Sequence, residues 1–161
     1  IGFWPAFWLM PNEDIRWPVG GEIDILENRG RISNISSSAL HFGKQWNKKS
    51  TLVGEALIPR QVRFQDKFHS ISLVWKENVI AFYLDNSSVP YFTINSNHPE
   101  FQKYKYPFNR DYYMILNVAV GGKYDDYWVD FDAFCNDEEC SNKEDPDSHR
   151  FIIDWIEYER L

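Results

Sequence analysis

Three carboxylates lie within one short apolar stretch, GEIDILENRG at positions 21–30. Side chains of a β-strand alternate between two faces, so Glu22 and Asp24 share a face. Glu27 has the opposite parity and would point into the core, where an ionised carboxylate is very unfavourable. One extra residue at Ile25–Leu26, a β-bulge, would return Glu27 to the face of the other two. The pattern therefore predicts three carboxylates in line, each about 6–7 Å from the next along the strand.

Carboxylates placed this close raise one another's pKa, so one can stay protonated near neutral pH while another is ionised. An acid beside a nucleophile is what retaining glycoside hydrolysis requires, with carboxyls about 5–5.5 Å apart. Two alternatives use the same residues: a polar strand face exposed to water, or a Ca²⁺ site built from clustered oxygens. An exposed face needs no break in parity, and calcium loops usually carry Gly and Asn among their acids. The stretch thus favours catalysis, with Asp24 as a hydrogen-bonding go-between.

The elements that must position these acids are β-strands. Apolar segments rich in β-branched and aromatic residues alternate with polar turns, and no long run has helical spacing. Because many segments are apolar on both faces, we expect two antiparallel sheets stacked face to face. Segment 98–110 is expected to be an irregular aromatic loop, and 135–149 a solvated loop. The main predicted strands are 2–10, 39–42, 70–76, 78–85, 112–120 and 150–161.

Length and charge restrict the function classes. The 161 residues suffice for one domain, and a net charge of −7 argues against nucleic acid or an anionic membrane as a partner. No apolar run is long enough for a transmembrane helix. The chain begins without Met, in what looks like the middle of a strand, so we expect a fragment whose upstream part, including any signal peptide, is not in this sequence.

Two features favour a secreted protein. Cys135 and Cys140 bracket the loop CNDEEC; they could form a small-loop disulfide or remain as two free thiols. Sequons for N-glycosylation occur at Asn34 and Asn86. Two thiols are too few for a typical zinc site.

Four motifs in order, WPAFWLMP, WPVGGEIDILENRG, ALHFG and YYMILNVAVGG, closely resemble the laminarinase-like branch of glycoside hydrolase family 16. The resemblance covers nearly the whole chain. It implies a concanavalin-like β-jelly-roll sandwich with a long cleft on its concave face. It also implies endo-hydrolysis of β-1,3-glucan, or of mixed β-1,3/1,4-glucan, with retention at the anomeric carbon.

The resemblance assigns roles by position. Glu22 matches the nucleophile, Asp24 the assisting carboxylate and Glu27 the general acid/base. The substrate side of the cleft is matched by a stacking tryptophan, a cleft histidine, and an asparagine and glycine at a strand end. These are Trp17, His41, Asn117 and Gly121.

Other tryptophans are assigned from the sequence pattern. Trp4 and Trp8 share a strand face and fit core or cleft equally; we count them as candidate substrate contacts. Trp46 lies in a polar loop after the His41 strand, and is expected at the cleft rim. Trp75 and Trp155 lie in apolar strands and are expected in the core.

The chain also departs from the family pattern. The strands that precede WPAFW in the family are absent, so 1–161 would be the C-terminal portion of a single domain, incomplete at its N-terminus. Nothing is transferred to 124–149, where the pattern differs. The resemblance implies no cofactor for catalysis, a structural Ca²⁺ bound through Asp154, a polysaccharide substrate and a monomer.

Two other functions fit the same fold. A non-catalytic β-1,3-glucan recognition protein is one, but relatives of that kind typically lack one or both glutamates, whereas Glu22 and Glu27 are both present. A transglycosylase would use the same residues and pass the glycosyl group to another sugar. The hydrolase is favoured, because a mutually repelling triad has no evident use in binding a neutral sugar.

Overall fold

A computed structural model describes residues 1–130 and 150–160, and in this part the chain is built almost entirely of β-strands. The strands are β1 Phe3–Pro11, β2 Glu22–Arg29, β3 Ile32–Gln45, β4 Lys48–Leu57, β5 Ile71–Lys76, β6 Val79–Leu84, β7 Phe92–Asn95 and β8 Tyr112–Val120. One short helix, α1 Pro99–Tyr104, and two 3-10 turns, Phe64–Asp66 and Lys123–Asp125, complete the described elements. No helix in this part is long and apolar enough to cross a membrane.

The strands form two antiparallel sheets, as predicted. The larger sheet has the order β4-β3-β2-β1-β8, and the smaller has the order β5-β6-β7. The predicted hairpin is β5–β6, with Lys76 opposite Val79. Strand β2, which carries the three acids, is the central strand of the larger sheet, so its backbone is hydrogen-bonded on both sides.

The core lies between the two sheets. Its fully or nearly buried side chains come from β1, β2 and β3 on one side and from β6 and β7 on the other, with two phenylalanines from the α1 region. They are Leu9, Ile23, Ile25, Leu40, Phe42, Ile80, Phe82, Ile94, Phe101 and Phe108. This packing places Ile23 and Ile25 of β2 in the core, so the opposite face of the strand is the one available to Glu22 and Asp24.

Strand β8 is paired on one side only in the described part of the chain, because it lies at the end of the larger sheet. Four of its apolar side chains share the parity that faces the core elsewhere in the sheet, and they are 39–58% exposed. They are Met114, Leu116, Val118 and Val120.

Two expectations about elements are wrong. Segment 98–110 contains α1, whose first turn is capped by the His98 side chain, and whose Phe101 is buried against Phe42. Residues 150–160 form no strand. Their alternation is suitable for one, but a strand needs a hydrogen-bonding neighbour, and no described strand pairs with them.

Two tryptophans expected in the core have different outcomes. Trp75 packs against the core, and its indole donates to the Phe108 carbonyl at 3.1 Å. Trp155 is 62% exposed, so its assignment to the core is wrong. The cysteine pair, Cys135 and Cys140, lies outside the described residues.

Candidate active site

A β-bulge in β2 brings the three acids to one face, as the parity argument predicted. On β3, Ala39 pairs with Asp24 and Ser37 with Glu27, so two residues of β2, Ile25 and Leu26, lie opposite the single residue Ser38 of β3. On the other side, the register with β1 shifts between Phe7 and Trp8 at the same point. Ile25 is 5% exposed and remains in the core. The extra residue thus lets Glu27 share the open face with Glu22 and Asp24.

Glu22 lies at the start of β2, directly opposite His41 of β3. The Nε1–H of Trp17 donates to its Oε2 at 2.7 Å, and His41 Nε2 lies 3.9 Å from its Oε1. Burial, followed by the charge of Asp24, raises the pKa of Glu22 to about 7, while His41 and the Trp17 hydrogen bond lower it. Glu22 can therefore ionise near neutral pH.

Asp24 is the central and most buried of the three acids, with a side chain 5% exposed. Its Oδ2 lies 3.0 Å from His41 Nε2. Burial raises the pKa of Asp24 to about 7, and a hydrogen bond with Glu22 lowers it. The same hydrogen bond raises the pKa of Glu22, as expected when two carboxyls share a proton.

Glu27 has the highest pKa of the three. Burial raises it to about 8, and the charge of Asp24 adds to the rise. The Nε1–H of Trp4 donates to Glu27 Oε1 at 3.0 Å, and this hydrogen bond lowers the pKa. Glu27 therefore holds its proton at neutral pH, beside a carboxyl that can ionise.

His41 is placed to orient the acids. Its Nδ1 lies 2.9 Å from Thr51 Oγ1, which leaves Nε2 toward Asp24 and Glu22. Burial lowers the pKa of His41, so the imidazole is neutral at pH 7. One ligand atom each of Glu22, Asp24 and His41 lies within 4.8 Å of the others, so the trio could also hold a metal ion. Such an ion would have to displace the protons that the raised pKa values keep on the carboxyls.

Aromatic side chains flank the acids at both ends. Near Glu22, the ring of Trp17 lies 5.1 Å from that of Trp46, which is 66% exposed. The place of Trp46 at a cleft rim stays a prediction. The Lys49 ammonium faces both rings at 5.5 and 5.8 Å. Near Glu27, Trp4 stacks on Tyr124 at 4.9 Å.

The remaining candidates are distributed as follows. Trp8 pairs with Asp24 across β1 and β2, and its Nε1–H donates to Asn117 Oδ1 at 2.8 Å, so both lie on the open face. Gly121 is buried in the turn after β8, where its amide donates to the Gly2 carbonyl. Its predicted contact with substrate stays a prediction.

Asp154 is exposed in the segment 150–160. In the part of the chain that the structure describes, no group of three or more acidic, histidine or cysteine ligands includes it. These residues do not provide the clustered acidic oxygens that a Ca²⁺ site there would need. The calcium site stays a prediction, and no step of the chemistry depends on it.

Sequence reasoning missed two neighbours of the acids. Thr51 belongs to no recognisable sequence motif. It can contact His41 because β4 pairs with β3 and places the two residues opposite each other. Tyr124 lay in a stretch from which no role was transferred. Its only signal was an aromatic residue two positions after Gly122.

Comparisons with known proteins find similar sequences and similar folds. A family model described as "Glycosyl hydrolases family 16" matches residues 1–156. The chain is 35% identical over 133 residues to glucan endo-1,3-beta-glucosidase A1 of Niallia circulans, which covers 77% of the chain and 19% of that protein. It is 34% identical over 126 residues to glucan endo-1,3-beta-glucosidase of Cryptopygus antarcticus, covering 75% of the chain and 46% of that protein.

Among solved structures, the laminarinase catalytic domain from Thermotoga maritima MSB8 matches with a TM-score of 0.68 at 28% identity, over 76% of this chain and 49% of that one. The chain therefore spans half or less of the length of these relatives. Together with the two observed sheets, this likeness confirms the predicted all-β jelly-roll class.

Proposed function

The chain belongs to glycosyl hydrolases family 16, and from this membership and the geometry of the three acids we propose that it is a retaining endo-β-1,3-glucanase. The proposed substrate is a laminarin-type β-1,3-glucan or a mixed β-1,3/1,4-glucan. The enzymes named for glucan endo-1,3 cleavage among its relatives support this choice. The arrangement of the acids independently supports retaining glycoside hydrolysis as the reaction.

One observation carries the proposal: two glutamates on one face of β2 have different environments. Burial raises the pKa of both, Glu22 to about 7 and Glu27 to about 8, so the face can hold a proton near neutral pH beside a carboxyl that can ionise. Each receives a hydrogen bond from a tryptophan indole, which fixes its direction. A proton donor beside an ionisable carboxylate is the pair that double displacement needs.

In the first step, a carboxylate oxygen of Glu22 attacks the anomeric carbon. The bond from that carbon to the leaving oxygen breaks as Glu27 delivers its proton to this oxygen. In the second step, Glu27 takes a proton from water, the hydroxide attacks the anomeric carbon, and the bond to Glu22 breaks. Asp24 shares a hydrogen bond with Glu22 and so affects the pH at which Glu22 ionises.

Cleavage by the full-length protein tests the proposal directly. Reducing-sugar release would be measured on laminarin, lichenan and cellulose, for the wild type, Glu22→Gln and Glu55→Gln. Glu55 is an exposed glutamate on β4, which β3 separates from β2 in the larger sheet, and it serves as the matched control. We expect release from laminarin that is lost in Glu22→Gln and kept in Glu55→Gln, with the α- or β-configuration of the first product read by NMR.

Other outcomes would contradict the proposal. Laminarin that is bound but never cleaved would indicate a glucan recognition protein. Products longer than the substrate would indicate transglycosylation. Inversion at the anomeric carbon would refute the double displacement even if cleavage occurs.

A further inference from the structure

The ring of Tyr124 contacts two side chains, Trp4 and Arg29, next to the acid/base glutamate. One face stacks on Trp4, with ring centroids 4.9 Å apart and planes 24° from parallel. The Arg29 guanidinium lies over the Tyr124 ring at 4.4 Å. Stacking and cation–π contacts both favour particular relative positions of the groups involved. Tyr124 therefore fixes the position of the Trp4 indole.

The turn that carries Tyr124 can approach Trp4 only because it begins with glycine. Gly122 has φ +103°, and a Cβ there would lie 3.1 Å from the Trp4 ring. The far side of the turn is anchored by buried Asp125, which forms an ion pair with Arg31 at 2.6 Å. The residues immediately around Tyr124 in the turn, Gly122 before it and Asp125 after it, are therefore both held in place.

The same tyrosine reaches Glu27 by two routes. Its hydroxyl donates to the Glu27 main-chain carbonyl at 3.2 Å. Its ring supports Trp4, whose Nε1–H donates to Glu27 Oε1 at 3.0 Å. Burial raises the pKa of Tyr124 to about 12, so the hydroxyl keeps its proton as a donor. The positions of both the main chain and the side chain of Glu27 therefore depend on Tyr124.

We propose that Tyr124 is a positioning residue for Glu27, acting through the Trp4 indole and through the Glu27 carbonyl. In the catalytic sense this rests on the function proposed above. The geometric part does not, because it concerns only whether the Trp4–Glu27 hydrogen bond depends on Tyr124. Misplacing a proton donor by about 1 Å can cost about a hundred-fold in rate.

The experiment follows the Trp4 indole N–H by NMR in the ¹⁵N-tryptophan-labelled full-length protein, with Trp4→Phe used to assign its signal. In the wild type the indole proton should move downfield as Glu27 ionises, and Glu27→Gln should abolish this titration. In Tyr124→Leu we expect the titration to be lost and solvent exchange of the indole proton to be at least about ten-fold faster. Tyr124→Phe keeps the ring and should restore the Trp4 signal.

The matched control is Tyr127→Leu, the same exchange in the same turn at a side chain that is 71% exposed. An unchanged Trp4 titration and exchange rate in Tyr124→Leu would overturn the proposal. If Tyr124→Leu does not fold, Arg29→Met decides in its place. That variant removes the guanidinium from the outer face of Tyr124 and should also speed indole exchange, and no change there would equally overturn the proposal.

Activity then separates this proposal from the proposed function. If laminarin is cleaved, kcat of Tyr124→Leu should fall at least about ten-fold with little change in KM, since a proton donor rather than a binding contact is displaced. If laminarin is not cleaved, the glucanase proposal fails, while the indole measurement still decides the role of Tyr124.

Discussion

The Nε1–H of Trp17 donates a 2.7 Å hydrogen bond to Oε2 of Glu22. The sequence places Trp17 just before the acidic motif, where the resemblance predicts sugar stacking. In the structure the same indole N–H donates to the Glu22 carboxylate, and a donor of this kind stabilises the ionised form of the acid. Trp17 therefore links the cleft rim to the proposed nucleophile.

Trp17→Phe tests this link. The change keeps an aromatic ring and removes the donor, so the pKa of Glu22 should rise above about 7. A hydrogen bond to a charged group contributes about 1.5–3 kcal/mol, equivalent to a rise of about one to two pKa units. The acid limb of the pH profile of kcat/KM should move up by that amount. Trp46→Phe, at an exposed side chain, should leave the limb in place, and equal shifts in both variants would refute the link.

Glu27→Ala tests the acid/base. The variant should lose most turnover on laminarin, because it can neither protonate the leaving oxygen nor activate water. Substrates with an activated leaving group should still form the intermediate on Glu22. Azide should then release it as a glycosyl azide, detected by mass spectrometry. Failure of azide to increase the rate with such a substrate would assign the acid/base role elsewhere.

Glu27→Gln should change how stability depends on pH. The folded-state pKa of Glu27 is raised from 4.5 to about 8, so between these values the folded protein binds a proton that the unfolded chain releases. That contribution is complete below about pH 4.5 and is lost as pH rises through 8, at about 1.4 kcal/mol per pKa unit. Urea unfolding should therefore show the variant gaining stability relative to the wild type from pH 4.5 to pH 8. If the free energy of unfolding depended on pH in the same way in both proteins, the pKa of Glu27 would be the same in the folded and unfolded states.

His41→Gln should separate orientation from proton transfer. His41 Nε2 lies 3.0 Å from Asp24, but the imidazole is neutral, and two glutamates already fill the acid and base roles. Loss of this close polar contact should reduce kcat by about ten-fold, equivalent to about 1.4 kcal/mol in the activation free energy. Steady-state kinetics beside Glu22→Gln would check this. A loss as large as that of Glu22→Gln would make His41 part of the proton transfer itself.

The common face of the three acids could be predicted from the sequence, because the alternation of side chains along a strand is a local property. The single odd spacing from Asp24 to Glu27 required a bulge, and the register of β2 against β3 confirms it. The hairpin β5–β6 and the strand β8 followed from local pattern in the same way.

What the sequence could not supply depends on distant neighbours. Thr51 reaches His41 only through the pairing of β3 with β4, and Tyr124 reaches Trp4 from 120 positions along the chain. Apolar and polar side chains do alternate along 150–160, but this pattern does not show whether another strand is available to pair with the segment. Trp155 is exposed for the same reason.

Among the described residues, strand β8 has both an edge without a strand partner and exposed apolar side chains at Met114, Leu116 and Val118. An edge of this kind is a template for another β-strand and promotes self-association. A preparation of these 161 residues by itself should be prone to precipitate, with light scattering that grows with concentration. A lysine at Val118 or Val120 would place a charge on that edge and should keep the material dispersed.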